Sequence, residues 1–145
     1  LVPGQTIVRD QLRLTCLPML PQSGYDRLLW SCDVNFVRGE DSFVRAQWSA
    51  QPFVWHIYPQ DDDAHHAKLD AFLDIYCHGI AEDAAAALRD FWWAWNRGEG
   101  AGGAWPAFQA ALPVLQQHAR TWRSRLTANG DLAANLVKFV AGKVE

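Results

Sequence analysis

The sequence has only three cysteines, Cys16, Cys32 and Cys77, far apart and without any CxxC spacing. An odd, scattered set of this kind excludes a disulfide framework and a cysteine-based zinc site, and it fits a reducing cytoplasm. Apolar runs are cut by charge or proline well short of the roughly 20 residues that a membrane span requires. No basic-then-apolar signal segment opens the chain, so neither membrane association nor export is expected. A basic stripe is also missing. Thirteen Lys+Arg against 16 Asp+Glu leave a net charge of -3, with the cations scattered too thinly to neutralise a phosphate backbone, which argues against nucleic acid as a partner. There is no internal repeat. What the chain does have is apolar surface: 50% hydrophobic and 12% aromatic residues among 145 supply the core of one folded domain. It opens on Leu1 rather than Met and runs into a turn-like Pro3-Gly4, from which an excised domain is expected.

The pattern along the chain alternates strand and helix. Residues 12–17 (LRLTCL) alternate and are rich in strand formers, which predicts a buried strand ended by Pro18 and a loop through Pro21-Gln22-Ser23-Gly24. A short helix is expected over Tyr25 to Ser31, a strand over Asp33 to Val37, a helix from near Glu40 to the stop at Gln51-Pro52, and a strand over Phe53 to Tyr58. Helical periodicity then covers 64–78 and 82–96, with Leu69, Phe72, Leu73 and Tyr76 on one stripe and Leu88, Phe91, Trp92 and Trp95 on the other. Gly98 to Gly103 reads as a flexible connection, followed by helices over 105–126 and 131–141, with Asp131 as an N-cap. Three strands separated by helices predict an α/β domain with a parallel sheet and a helical C-terminal tail.

In such sheets ligands bind where a strand turns into the following helix. Arg38-Gly39-Glu40-Asp41-Ser42 stands at such a turn. Gly39 permits a tight turn, the first-turn amides and the helix dipole suit a diphosphate, Arg38 adds a forked cation, and Ser42 offers a hydroxyl. Glu40 and Asp41 do not suit phosphate alone, because two carboxylates repel it. They suit sugar hydroxyls or a cationic acceptor, so the run points to glycosyl transfer onto a cationic group. The plain alternative is that acidic residues in a first helical turn merely stabilise the dipole, by about 0.3–1 kcal/mol.

Residues 35–60, NFVRGEDSFVRAQWSAQPFVWHIYPQ, closely resemble the C-terminal part of the bacterial EarP family of protein-arginine rhamnosyltransferases, which modify elongation factor P. PMLPQSGYDRLLWSCD at 18–33 and DAHHAKLDAFL at 63–73 resemble the same family in the same order, so the likeness spans at least 18–97. The resemblance implies a two-domain GT-B architecture, this chain being the Rossmann-like C-terminal half, with helices on both sheet faces, and the N-terminal acceptor domain lying elsewhere. It implies inverting, metal-free transfer of rhamnose from dTDP-L-rhamnose to an arginine of elongation factor P. Carried onto this sequence, Arg38 and Ser42 match diphosphate contacts, Tyr58 another donor-phosphate contact and Gln22 a thymine contact. Glu40 matches the family's essential glutamate, and Asp41 its neighbour at the sugar. Met19 departs from the aromatic residue that commonly stacks on thymine; its polarizable sulfur can still lie against a base. The family's general base is an aspartate of the N-terminal domain, so this chain alone is expected to bind donor without transferring sugar.

Other residues read as structural. His65 and His66, after Asp61-Asp62-Asp63, are expected at a solvated helix start and, pointing about 100° apart, not to share a metal. His56 is expected to be a satisfied strand residue, Trp92, Trp93 and Trp95 core, and Asp33 and Asn35 ties for the strand and turn. A non-catalytic nucleotide-recognition or protein-interaction module on the same α/β frame remains the alternative to the donor-binding reading.

Overall fold

The computed structural model describes residues 2–60 and 63–142. Its elements are β1 (Thr6–Arg9), β2 (Leu12–Thr15), α1 (Gln22–Ser31), β3 (Asn35–Arg38), α2 (Glu40–Trp48), β4 (Phe53–His56), α3 (Ala64–Tyr76), α4 (Glu82–Arg97), α5 (Ala101–Ala128) and α6 (Leu132–Ala141). The chain is therefore α/β with a predominantly helical second half, as the periodicity predicts.

The sheet differs from the expected three parallel strands. β3 and β4 pair in parallel, Asn35 opposite Phe53 and Arg38 opposite His56, and they form a sheet of two. The segment expected to be its third, buried strand instead pairs antiparallel with β1, which the sequence reading missed, in a separate hairpin exposed along its whole length. Alternation alone shows that a segment is extended; it does not show which partner covers it. The hairpin turn uses Asp10 at φ 51, a left-handed position that Asp tolerates.

Helices cover both faces of the β3–β4 pair. Phe43 of α2 stacks on Trp55 at 4.0 Å and meets Phe53 edge-on. Phe36, turned to the other face by strand alternation, meets Trp95 and Phe91 of α4. The outer edge of β4 is closed by α4 side chains. Trp92 Nε1 donates to the Phe53 carbonyl at 2.9 Å, while Asn96 donates to Trp55 C=O and accepts from Ile57 N–H. Trp92 belongs to the core as expected, Trp93 is half-buried with its Nε1 on Asp70, and Trp95 is partly exposed. Asn35 ties the structure together as expected, its buried amide donating to Leu29 C=O, whereas Asp33 is exposed.

The glycine-rich stretch is a tight corner rather than a flexible linker. Gly98 and Gly100 take left-handed φ values of 76° and 80°, ending α4 and starting α5, so Gly102 and Gly103 already lie in the helix. α5 then packs back along α4, with Phe108 stacked on Phe91 at 4.5 Å. Asp131 caps α6 through Ala134 N–H, as expected.

His118 of α5 sits against Tyr76, only 7% exposed, and its Nε2 has no hydrogen-bond partner among the described residues. Burial lowers its pKa below the ordinary 6.5, so the folded state keeps the ring neutral where the unfolded chain takes up a proton. Its contribution to stability is thus intact above pH 6.5 and declines as pH falls from 6.5 towards the lower folded value. Urea midpoints measured between pH 7.5 and pH 5 are expected to fall over that window, and His118→Gln to flatten that part of the curve.

Candidate functional site

The expected site residues fall into two groups at the start of α2. Strand β3 delivers Arg38 to the turn, and Gly39 makes it at φ 77 and ψ 176, a region that residues with a Cβ avoid. Trp55 Nε1 donates to the Gly39 carbonyl at 3.1 Å and locks the turn. The first helical bond runs from Phe43 N–H to Gly39 C=O, so the amides of Glu40, Asp41 and Ser42 lie ahead of the helical ladder, and no side chain caps them. A helix start with open amides and a positive dipole end offers hydrogen-bond donors and partial positive charge to a ligand.

Two groups of side chains surround it. Met19, Gln22, Asp41 and Ser42 line one cleft of about 530 Å³, together with Leu17, Tyr25, Leu28 and Arg45. Met19 is 97% exposed, Ser42 is half-buried and its hydroxyl makes no hydrogen bond among the described residues, and Gln22 opens α1. The second group is Arg38, Gly39 and Tyr58. The Arg38 guanidinium lies 4.9 Å over the Tyr58 ring, and that ring fills the space where a Cβ on Gly39 would fall. Glu40 is exposed in the first turn, and its carboxylate makes no hydrogen bond or ion pair among the described residues. Arg38, Gly39, Glu40 and Tyr58 are not lining residues of the Gln22 cleft.

Arg45 and Asp26 were not singled out by the sequence. Arg45 Nε donates to Asp41 Oδ2 at 2.9 Å, and its Nη1 donates to Asp26 Oδ1 at 2.8 Å. Hydrogen bonding to Asp26 and then to Asp41 raises the guanidinium above its ordinary pKa. The Asp41 pairing has a sequence signal, the i,i+4 spacing on a helix. The link to Asp26, 19 residues away, has none. A hollow of about 630 Å³ along α4, lined by Asp90, Trp93, Arg97 and Glu99, holds none of the expected residues.

The histidine pair differs from expectation. His65 is buried rather than solvated, its ring lies 4.0 Å from that of His66, and Asp63, His65 and His66 bring one potential ligand atom each within 4.8 Å. Asp61 and Asp62 lie outside the described residues. His65 Nδ1 accepts the Gln60 N–H at 3.1 Å, which leaves the proton of the neutral ring on Nε2. A cation there would have to displace that hydrogen bond, so His65 reads as a tie for the Gln60 loop. His56 is half-buried, and its imidazole makes no hydrogen bond among the described residues, so the expected side-chain partner is not found. Cys16, Cys32 and Cys77 are free thiols, and no described helix is long and apolar enough to cross a membrane.

The fold and site define an α/β domain whose chief chemical feature is a strand-turn-helix junction with an uncapped helix start, flanked by carboxylates. The family described as Elongation-Factor P (EF-P) rhamnosyltransferase EarP matches residues 1–141, and the chain belongs to that family. It is 52% identical over 141 residues to a protein-arginine rhamnosyltransferase of Pseudomonas aeruginosa, covering 97% of this chain and 38% of that protein. A protein of the same name from Pseudomonas putida is 54% identical over 136 residues, covering 94% of this chain and 36% of the relative. A solved structure described as the structural basis for EarP-mediated arginine glycosylation of translation elongation factor EF-P superposes with a TM-score of 0.86 at 49% identity. It covers 98% of this chain and 45% of that one. The chain thus spans less than two fifths of the length of the curated relatives it matches.

Proposed function

We propose that this chain is the donor-binding part of a protein-arginine rhamnosyltransferase, a Rossmann-like C-terminal half of a GT-B enzyme that works in the cytoplasm with a separate N-terminal domain. The reading rests on one observation above all: Asp41 and Ser42, at the open N-terminus of α2, share a cleft with Gln22 and Met19. In this reading dTDP-L-rhamnose lies across that helix start. The diphosphate takes the free amides, Arg38, Ser42 and Tyr58; the thymine lies by Met19 and Gln22; and the sugar lies by Glu40 and Asp41. As the bond to the leaving dTDP lengthens, negative charge grows on the diphosphate, and Arg38 with the amide cluster stabilises that charge more in the transition state than in the ground state.

The acceptor is an arginine of elongation factor P. A guanidinium, with a pKa above about 12, is a poor nucleophile until carboxylates orient it and take its proton. Glu40 orients sugar or guanidinium, and the base comes from the N-terminal domain. Inversion requires no covalent intermediate, and no metal is invoked.

Titration calorimetry with dTDP, with amide shifts followed at 38–42, tests the reading. Arg38→Ala is expected to weaken binding roughly ten- to a hundredfold, the loss of about 1.5–3 kcal/mol of charged hydrogen bonding. Absence of heat and of shift changes at millimolar dTDP would overturn it. Binding of dTDP without any rhamnosylated elongation factor P from the protein's complete reading frame would favour a non-catalytic nucleotide-recognition module.

A further inference from the structure

We propose that Asp26 and Arg45 are positioning residues for the sugar end of the donor site, holding the Asp41 carboxylate in one orientation. The inference rests on the donor-binding reading above. Arg45 bridges two carboxylates from different helices, Asp26 at 2.8 Å and Asp41 at 2.9 Å, and lines the same cleft as Asp41. Arg45 itself is shielded, whereas the Asp41 side chain is 80% exposed. An exposed i,i+4 pair of this kind adds little to stability, so stability is a weak reason for the arrangement.

Its geometric effect is larger. With Oδ2 engaged, Asp41 is confined in rotamer, and its other oxygen has no protein partner among the described residues. A confined carboxylate with one free oxygen is a preorganised acceptor for a hydroxyl or a guanidinium N–H. The pairing with Arg45 sets Asp41 apart from Glu40, whose carboxylate has no partner among the described residues to fix its direction. Only an arginine serves as the bridge, because its fork donates from Nε and Nη1 in different directions, whereas a lysine ammonium at the end of its stem cannot keep both contacts in place.

The test compares dTDP-L-rhamnose with dTDP, using calorimetry on the protein expressed from its complete reading frame. Asp26→Asn and Arg45→Lys are each expected to weaken dTDP-L-rhamnose about tenfold, the usual scale for one misplaced charged hydrogen bond, while dTDP binding changes less than twofold. Asp26→Asn added to Asp41→Asn is expected to cost nothing further. Equal losses on both ligands would mark a mere clamp between helices, and no loss on either would mean the bridge is idle; both outcomes overturn the proposal. Should Asp26→Asn fail to fold, Arg45→Lys carries the same comparison. Arg38→Ala serves as the control: if it binds dTDP as tightly as the parent, the donor-binding reading falls, and this inference falls with it.

Discussion

Gly39→Ala is expected to lower stability by about 2–4 kcal/mol and to abolish measurable donor binding. At φ 77 and ψ 176 Gly39 occupies a region that is essentially glycine's alone, and a residue with a Cβ held there costs roughly 1–3 kcal/mol. The turn cannot relax freely, since Gly39 C=O is held by Trp55 Nε1 and by Phe43 N–H. The new Cβ would also lie 2.8 Å from Tyr58 Cε2. Tyr58 is 49% exposed, so its ring can swing outward, but doing so removes it from beneath Arg38. The clash is therefore relieved at the expense of the Arg38–Tyr58 contact, and the backbone strain remains. A drop in thermal midpoint of roughly 5–15 °C is expected, together with loss of calorimetric heat with dTDP. Repeating the substitution in a Tyr58→Ala background separates the two causes: the clash disappears and most of the stability loss persists. If the double variant is as stable as Tyr58→Ala alone, strain at Gly39 is not the reason for the glycine.

Trp92→Ala is expected to cost about 3–5 kcal/mol, a large fraction of the 5–15 kcal/mol that holds a typical domain folded. Trp92 is fully buried, stacks on Phe72 at 5.8 Å and meets Phe53 edge-on at 5.2 Å. Truncation leaves a large cavity and also orphans the Phe53 carbonyl on the outer edge of β4. Trp92→Phe isolates the second effect. It keeps much of the ring volume but not the donor, and is expected to cost about 1–3 kcal/mol, the penalty of a buried carbonyl without its hydrogen bond. Urea unfolding of the three proteins checks both values. Equal costs for Phe and Ala would mean that the indole N–H, and not packing, is what Trp92 contributes.

These two residues differ in how far the sequence announces them. Gly39 stands between a strand and a helix start, and its role follows from chain-local geometry, as do Arg38, the open amides and the N-cap at Asp131. Trp92 is visible as one of a helical stripe of aromatics, but not as the closure of a sheet edge, because its partner Phe53 lies 39 residues earlier. The same limit explains the hairpin. Residues 12–15 are extended, as their alternation predicts, yet their partner is the exposed β1 rather than the core sheet.

By itself, then, the sequence determined what short-range forces dictate. The amphipathic helices, the β3-to-α2 turn with Gly39 at its corner, and the carboxylates in the first turn of α2 all depend on residues within about one helical turn of each other. Only the tertiary structure decided which of those features meet. It brought Gln22 and Met19 to the cleft of Asp41 and Ser42, set Arg45 between Asp26 and Asp41, and seated Tyr58 under Arg38 and against Gly39. Such contacts form when distant segments pack to bury a shared core, and no local pattern encodes the partner in advance.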